Sequence, residues 1–170
     1  GDRIFDSDPA AARRTLKSIA DTGRAALADL DRMLNVLSSG GSRKALPTLA
    51  QLDALCTEFS RSGPSVSLTI EGDPHRVPAS VSLAGYRLVQ EALTNALKHA
   101  AATEVTVEVA IDDNVTIRVA DNGQGGEPQL GRGLRGMVER AQLHGGTVQF
   151  GAGSNGGFMV ESRIPLRSAP

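Results

Sequence analysis

Residues 88–100 read Leu-Val-Gln-Glu-Ala-Leu-Thr-Asn-Ala-Leu-Lys-His-Ala, a run of good helix formers interrupted by polar side chains. At about 100° per residue, one face of the predicted helix is apolar, formed by Val89, Ala92, Leu93, Ala96, Leu97 and Ala100. Asparagine is unfavourable inside a helix because its amide competes for backbone hydrogen bonds, so Asn95 needs an explanation. Four side chains near one edge of the helix could together hold a metal–phosphate group: Glu91, Asn95, Lys98 and His99. A solvated surface would explain the same residues, so the helix alone does not decide.

Composition excludes several classes of protein. The 170 residues suffice for one domain plus an appendage, and a net charge of −1 gives no global electrostatic reason to bind nucleic acid. The single cysteine, Cys56, rules out an internal disulfide framework and fits a reducing compartment; we expect a half-buried helical thiol. No apolar run reaches the roughly 20 residues of a membrane span. We therefore expect a cytoplasmic location, no direct nucleic-acid binding, and any membrane anchor outside this chain, which lacks an initiator Met and reads as a fragment.

The first forty residues predict one long helix. Asp8 and Pro9 form a helix-start signal, and apolar residues then recur every three or four positions at Leu16, Ile19, Gly23, Leu27, Leu30, Leu34 and Leu37. Such a seam needs a partner, and residues 41–45 resemble a linker. We interpret residues 8–38 as one arm of a helical bundle or dimer; the alternative is that this helix packs on the body.

The remaining residues alternate between helical and strand periodicity. The pattern predicts, in order, a helix at 47–60, a strand at 66–70, a helix at 79–100, a hairpin at 105–119, a glycine-rich loop at 121–132, a helix at 134–144 and a hairpin at 148–164. We therefore predict an α+β fold, a two-layer sandwich of helices on a mixed, mostly antiparallel sheet.

Two glycine motifs follow the 88–100 segment. Asp121-Asn-Gly-Gln-Gly125 ends a predicted strand, where a carboxylate can point into a cavity while the backbone passes close to a ligand; it would also suit a plain turn. Gly131-Arg-Gly-Leu-Arg-Gly136 opens a helix, whose free N–H groups suit phosphate. Neither matches a P-loop or a dinucleotide fingerprint, and each alone is weak.

In this order, the three motifs resemble the N, G1 and G2 boxes of the GHKL (Bergerat) ATPase fold. The sequence of residues 90–100 and 131–140 is similar to the corresponding segments of sensor histidine kinases of the NarL/DesK-type subfamily. The resemblance covers residues 47–166 as a C-terminal catalytic ATP-binding domain. Residues 1–40 resemble the second helix of that subfamily's dimerisation and phosphotransfer bundle, with residues 41–46 as linker and 167–170 as tail.

The resemblance implies ATP and Mg²⁺ as cofactors. It implies that Asn95 is a Mg²⁺ ligand and that Glu91 orients or deprotonates the attacking group or holds a metal-bound water. Lys98 and His99 would contact phosphate, and Asp121 would accept from the adenine amine. Arg132 or Arg135 would be a further phosphate contact in a mobile lid. The residues of the two glycine boxes that would contact the nucleotide are Gly123, Gly125, Gly131, Arg132, Gly133, Leu134 and Gly136.

This sequence departs from the subfamily pattern in two places. None of His75, His99 and His144 is followed by Asp, as the phosphoacceptor usually is, and the first bundle helix is absent. We therefore expect no autophosphorylation of the usual kind by this chain. Phe158 and Met159 also follow Gly156-Gly157, where the family's third glycine box often has Thr, so the resemblance does not extend to that adenine-side contact.

The function implied is that of a protein histidine kinase. The intact protein would phosphorylate a histidine and pass the group to a response regulator with a DNA-binding output domain, and it would be a homodimer through the bundle. Two alternatives remain: an anti-sigma-factor-type serine kinase of the same fold, and a dimerising module with a dead nucleotide site. The seam helix argues against the first, and intact Glu91, Asn95 and Asp121 argue against the second.

Overall fold

The computed structural model describes residues 46–125, 131–153 and 156–166, and for Ser62 and His99 only the backbone. The chain divides into two compact units, Gly1–Ala45 and Leu46–Pro170, and every described residue belongs to the second. The seam helix predicted at residues 8–38, most of the linker and the tail at 167–170 lie outside the described residues. Those predictions therefore remain predictions.

Five strands form one sheet. They are β1 (Ser65–Glu71), β2 (Glu104–Ile111), β3 (Asn114–Asp121), β4 (Thr147–Ala152) and β5 (Phe158–Pro165). Their spatial order is β1-β2-β3-β5-β4. β1 runs parallel to β2, and the other three pairings are antiparallel. The predicted mixed, mostly antiparallel sheet is confirmed.

Strand alternation gives the sheet one buried face and one open face. The β2–β3 turn fixes the register, because Asn114 N donates to Asp112 Oδ1 at 2.7 Å and Asp112 N donates back to the Asn114 carbonyl at 3.0 Å. The first of these bonds lowers the pKa of Asp112. The inner-face side chains form the core together with the helices; they include Val105, Val107, Val109, Val115, Ile117, Val119, Val160 and Ile164.

Three helices pack on the inner face. A 3₁₀ turn at Leu49–Gln51 leads into α1 (Leu52–Ser62), and α2 (Ala79–Asn95) and α3 (Arg132–Gln142) follow. Leu52, Val89 and Met137 each have 0 % exposed surface, so every helix contributes to the core. No helix in the described part of the chain is both long and apolar enough to cross a bilayer.

The C-terminal end of α2 differs from the prediction of one continuous helix over 79–100. The α-helix ends at Asn95, and Ala96–Ala100 form a π turn that closes on Ala101 in the left-handed region (φ 47°). The π turn is wider than an α turn, so it rotates side chains away from the α-helical pattern. Leu97, which the α-helical period places on the apolar face, is 45 % exposed, whereas Ala96 and Ala100 are buried.

Cys56 lies deeper than the half-buried thiol expected. It is 4 % exposed on α1 within the core. Burial and the nearby Asp53 carboxylate raise the pKa of the thiol to about 11. The raised pKa keeps the thiol protonated, so the side chain is unreactive and serves as a small apolar core residue.

Candidate functional site

The end of α2 supplies the first part of the candidate site. Glu91 and Asn95 are half-buried, one turn apart on the helix, and Lys98 is exposed on the π turn that follows. His99 also belongs to the π turn, but its side chain is outside the described set. Thr94 Oγ1 donates to the Gln90 carbonyl at 2.7 Å, a back-bond that often bends helices. The irregular helix end therefore carries the polar residues of the motif.

The first turn of α3 lies against Glu91. Gly131 precedes the helix as an extended N-cap that makes no side-chain cap hydrogen bond. A β-carbon added at Gly133 would overlap Glu91 Oε1 and lie 3.2 Å from Glu91 Cδ. A glycine is therefore required for the Glu91 carboxylate to reach the start of this helix. The two motifs are more than forty residues apart in sequence and meet here.

Among residues 46–125, 131–153 and 156–166, no hydrogen-bond partner is found for the first backbone N–H groups of α3. The Arg135 N–H is the first to bond back along the chain, to the Gly131 carbonyl at 3.1 Å, so the amides of residues 132–134 precede it. Leu134 is buried at 8 %, so its side chain serves the core, while Arg132 and Arg135 are exposed. This helix start has the chemistry of an anion site.

Gly136 lies one turn further along α3. A β-carbon there would lie 3.0 Å from Arg140 Nη1, one turn C-terminal to it. The absence of a side chain at this position lets the Arg140 guanidinium lie along the helix. The structure thus gives Gly136 a packing role at the side chain of Arg140.

The Asp121 carboxylate is held in a fixed orientation at the end of β3. Its Oδ1 accepts from the backbone N–H of Gly123 at 2.9 Å and from that of Phe158 at 3.3 Å. Gly157 has φ +70°, and a β-carbon there would lie 2.7 Å from the same Oδ1. Oδ2 has no hydrogen-bond partner within residues 46–125, 131–153 and 156–166. One oxygen is therefore used to position the group, and the other remains an acceptor.

The loop after Asp121 is tied to the end of the π turn. Gln124 N donates to the Ala100 carbonyl at 2.7 Å, and a β-carbon at Gly123 would lie 2.6 Å from Ala100 Cβ. A β-carbon at Gly125 would lie 2.6 Å from the Gly157 carbonyl oxygen. The glycines thus allow this loop to pass between the π turn and the start of β5.

Asn122 in this loop and Gly157 just before β5 also hold the loop in place, although neither is among the predicted site residues. Asn122 Oδ1 accepts from the N–H groups of Thr103 and Glu104, both at 3.0 Å, and its Nδ2 donates to Thr103 Oγ1 at 2.9 Å. The turn-forming tendency of Asn next to Asp signals such a role. For Gly157, the Gly-Gly pair before a strand is the available signal.

The structure brings part of the predicted set together through two contacts. The α2 end contacts α3 through Glu91 and Gly133, and the π turn contacts the loop after β3 through Ala100 and Gly123. No contact to this set is described for Lys98 or Arg132. Residues 126–130, part of the glycine-rich loop predicted at 121–132, are outside the described ranges.

The comparisons with known proteins identify a family for this arrangement. Residues 81–168 match the family described as histidine kinase-, DNA gyrase B-, and HSP90-like ATPase. The chain is 32 % identical over 146 residues to the sensor histidine kinase LnrJ of Bacillus subtilis, covering 84 % of this chain and 36 % of LnrJ. It is 34 % identical over 165 residues to the nitrate/nitrite sensor protein NarX of Escherichia coli K12, covering 91 % of this chain and 27 % of NarX. The chain thus spans about a third of the length of these relatives.

A solved structure agrees with the sequence relatives. The ATP-binding domain of PrrB from Mycobacterium tuberculosis matches with a TM-score of 0.51 and 28 % identity, covering 71 % of this chain and 94 % of that domain. Fold, sequence and the placement of the three motifs point the same way. The chain belongs to the histidine kinase-, DNA gyrase B- and HSP90-like ATPase family and, within it, carries the ATP-binding catalytic domain of a sensor histidine kinase.

Proposed function

We propose that α2, the loop after β3 and the start of α3 form a cleft that binds Mg·ATP, and that the intact kinase uses it to phosphorylate a histidine. The observation that carries this proposal is a pair of contacts: Glu91 of α2 lies against Gly133, and Ala100 of the π turn lies against Gly123. They support a site in which the Glu91 carboxylate, the Asn95 amide and the first turn of α3 would surround one space. Residues with these chemical properties suit a nucleotide with its metal.

The base end of the cleft is Asp121. Two backbone N–H groups fix its Oδ1, so Oδ2 is the atom that would accept from the exocyclic amine of adenine. An acceptor at this position favours adenine over a base that presents a carbonyl oxygen there. We therefore assign base recognition to Asp121.

The phosphate end is the first turn of α3. Its leading amides and the positive end of the helix dipole favour phosphate oxygens. Asn95 would supply one hard oxygen ligand to Mg²⁺, which keeps most of its waters and takes its other ligands from phosphate. Exposed Lys98, Arg132 and Arg135 would add positive charge, with His99 as a further phosphate contact. When bound, the metal supplies charge neutralisation during phosphoryl transfer.

Glu91 is the proposed catalytic residue. Because its carboxylate lies against Gly133 at the start of α3, it lies beside the proposed phosphate end. From there it would orient or deprotonate the attacking imidazole, or hold a metal-bound water. The γ-phosphorus would form a bond to a ring nitrogen as its bond to ADP breaks, and the ring proton would leave through this carboxylate or water.

Titration calorimetry with Mg·ATP tests the nucleotide site. We expect binding by the wild-type chain and a large loss in Asp121→Ala. Asn95→Ala should lose the Mg²⁺-dependent part of the affinity, and Glu108→Gln, on the exposed face of the sheet, should match wild type. An absence of binding by the wild type, or unchanged binding in both site variants, contradicts the proposal.

A transfer assay tests the reaction class. The chain is mixed with a purified histidine-bearing bundle of a related kinase and with radiolabelled ATP. Phosphohistidine is labile to acid, whereas phosphoserine survives it. Acid-labile label that is lost in Glu91→Gln supports a histidine kinase. Acid-stable label on a protein serine would indicate the anti-sigma-type reaction instead, and no label with intact ATP binding would indicate a module without kinase activity.

The wider context is also proposed from the relatives. LnrJ is named a sensor histidine kinase and NarX a nitrate/nitrite sensor protein. We propose a response regulator with a DNA-binding output domain as the partner, a homodimer through a bundle that includes residues 1–40, a linker at 41–46 and a cytoplasmic location. Pull-down of the intact protein with its regulator, and its mass in solution, test the first two.

A further inference from the structure

A pair of stacked aromatic rings includes Phe158, the neighbour of Asp121 at the proposed base end of the cleft. The centroids of Phe150 and Phe158 are 6.4 Å apart, and their planes differ by 13°. Both rings pack against the core while remaining partly exposed. The chain has only four Phe, one Tyr and no Trp, so two stacked rings at one place call for an explanation.

Strand register places Phe158 beside Asp121. Ala120 pairs with Met159 across β3 and β5, so the next residues outward, Asp121 and Phe158, face each other. The Phe158 N–H donates to Asp121 Oδ1 at 3.3 Å, which shows that the two residues are in contact. Phe158 is also on the same face of β5 as buried Val160, the face that the helices cover. The ring and the carboxylate therefore share one face of the sheet.

Phe150 supports the ring from the neighbouring strand. It pairs with Val160, and Ala152 pairs with Phe158, so Phe150 is the diagonal inner-face neighbour of Phe158. The small Ala152 leaves the edge-strand side of Phe158 uncrowded. An aromatic surface that is backed by a second ring, and that lies next to a hydrogen-bond acceptor, fits a flat heteroaromatic ring carrying an amine.

We propose that Phe158, held in place by Phe150, is a nucleobase-binding residue whose ring forms the apolar wall for the purine. This inference rests on the proposed nucleotide site and assigns two parts of base recognition to two residues. Asp121 distinguishes the exocyclic group, whereas the Phe158 ring contacts the base without regard to its identity, because every base has a π-face.

The test compares three ligands on the full chain: Mg·ADP, Mg·IDP and Mg·tripolyphosphate. IDP carries a carbonyl oxygen in place of the adenine amine, and tripolyphosphate has no base. Binding is measured by calorimetry or by displacement of a fluorescent ADP. Phe158→Ala should weaken ADP and IDP by the same factor, about tenfold, the size expected for one lost stacking contact. Its affinity for tripolyphosphate should be unchanged.

Three further variants separate the two parts of recognition and control for folding. Asp121→Asn should change the ratio of ADP to IDP affinity, because an amide both donates and accepts. Phe158→Leu keeps an apolar side chain and should lose less than Phe158→Ala. Met159→Ala, the next residue on the opposite face of β5, should bind all three ligands as wild type does. Ligand-free melting midpoints show whether each variant is folded.

The inference is overturned if Phe158→Ala binds ADP within twofold of Met159→Ala. It is also overturned if tripolyphosphate binding falls by the same factor, since the ring would then only shape the cleft. If the wild type binds none of the three ligands, the proposed function fails and this inference fails with it. If the wild type binds ADP in an Asp121-dependent way and Phe158→Leu and Phe158→Ala do not weaken it, only the inference fails.

Discussion

Gly156 and Gly157, at the start of β5, have similar backbone conformations but different surroundings. Both have positive φ, 83° and 70°. A β-carbon at Gly156 meets no described atom within 4 Å, whereas one at Gly157 would overlap the Asp121 carbonyl oxygen and lie 2.7 Å from its carbonyl carbon. Alanine at either position carries the same conformational cost, and only alanine at Gly157 also displaces Asp121.

The expected magnitudes differ accordingly. A left-handed conformation costs an L-residue about 1–2 kcal/mol, and the less flexible unfolded chain offsets roughly half of that, so Gly156→Ala should lose about 1 kcal/mol. Gly157→Ala should lose a further 1–3 kcal/mol or so, as in overpacked cores. At about 4 °C per kcal/mol for a domain of this size, the midpoints should fall by about 4 °C and about 8–16 °C.

Thermal melting followed by circular dichroism, with and without Mg·ADP, measures both effects. The two variants should differ in ligand response as well, because Gly157→Ala moves the Asp121 carboxylate that we assign to the base. Gly156→Ala should keep the wild-type rise in midpoint with ADP, and Gly157→Ala should show a smaller rise. Equal midpoints and equal responses for the two variants would refute the contact argument.

Three other substitutions test separate parts of the account. Asn122→Ala removes three hydrogen bonds and should cost about 1–2 kcal/mol in total, visible as a lower melting midpoint; an unchanged midpoint would mean that water replaces them fully. Gly133→Ala should leave the free energy of unfolding unchanged or raise it by up to about 1 kcal/mol. Because the new β-carbon displaces Glu91, the same variant should phosphorylate an added acceptor roughly 100-fold more slowly. Full activity in Gly133→Ala would contradict the proposed role of Glu91. The pKa of Cys56 is raised to about 11 in the folded protein. The free energy of unfolding should therefore fall as pH rises from about 9 to 11, because only the unfolded thiol ionises readily in that range. In urea titrations at these pH values, Cys56→Ala should lack that part of the decline.

Much of the fold could be predicted from periodicity because burial and periodicity coincide in this sheet. Valine and isoleucine side chains alternating at 105–109 and 115–119 place one face inward, and that is the face the helices cover. Gly145 marks the C-terminal end of α3 as expected, with φ +69°. These signals are local, so they need no knowledge of the partner strand.

The end of α2 could not be predicted in the same way. Residues 96–100 have helix-forming side chains, and nothing in their pattern distinguishes an α turn from a π turn. The loop after β3 bonds to the Ala100 carbonyl through Gln124 N at 2.7 Å, a tertiary contact across more than twenty residues. The exposure of Leu97 follows from that local rearrangement. The α-helical spacing of apolar residues does not predict burial where tertiary contacts make the backbone irregular, as sequence patterns often fail at candidate sites.

In the candidate site, too, local features could be predicted from the sequence whereas tertiary contacts could not. Asp121 and the glycine motifs stand out in the sequence, but their partners do not. That Gly133 lies against Glu91, and that Gly157 and Phe158 enclose Asp121, depends on how α3 and β5 pack, which no spacing rule gives. The order of the motifs indicated one site, and the structure supplied the contacts within it.

The most direct test of the central claim is calorimetric titration of the wild-type chain and Asp121→Asn with Mg·ADP. We predict one site per chain in the wild type and a loss of affinity of at least tenfold in the variant, with the melting midpoint of the ligand-free protein little changed. Binding of equal strength in both proteins, or none in the wild type, would contradict the assignment of this cleft as the nucleotide site.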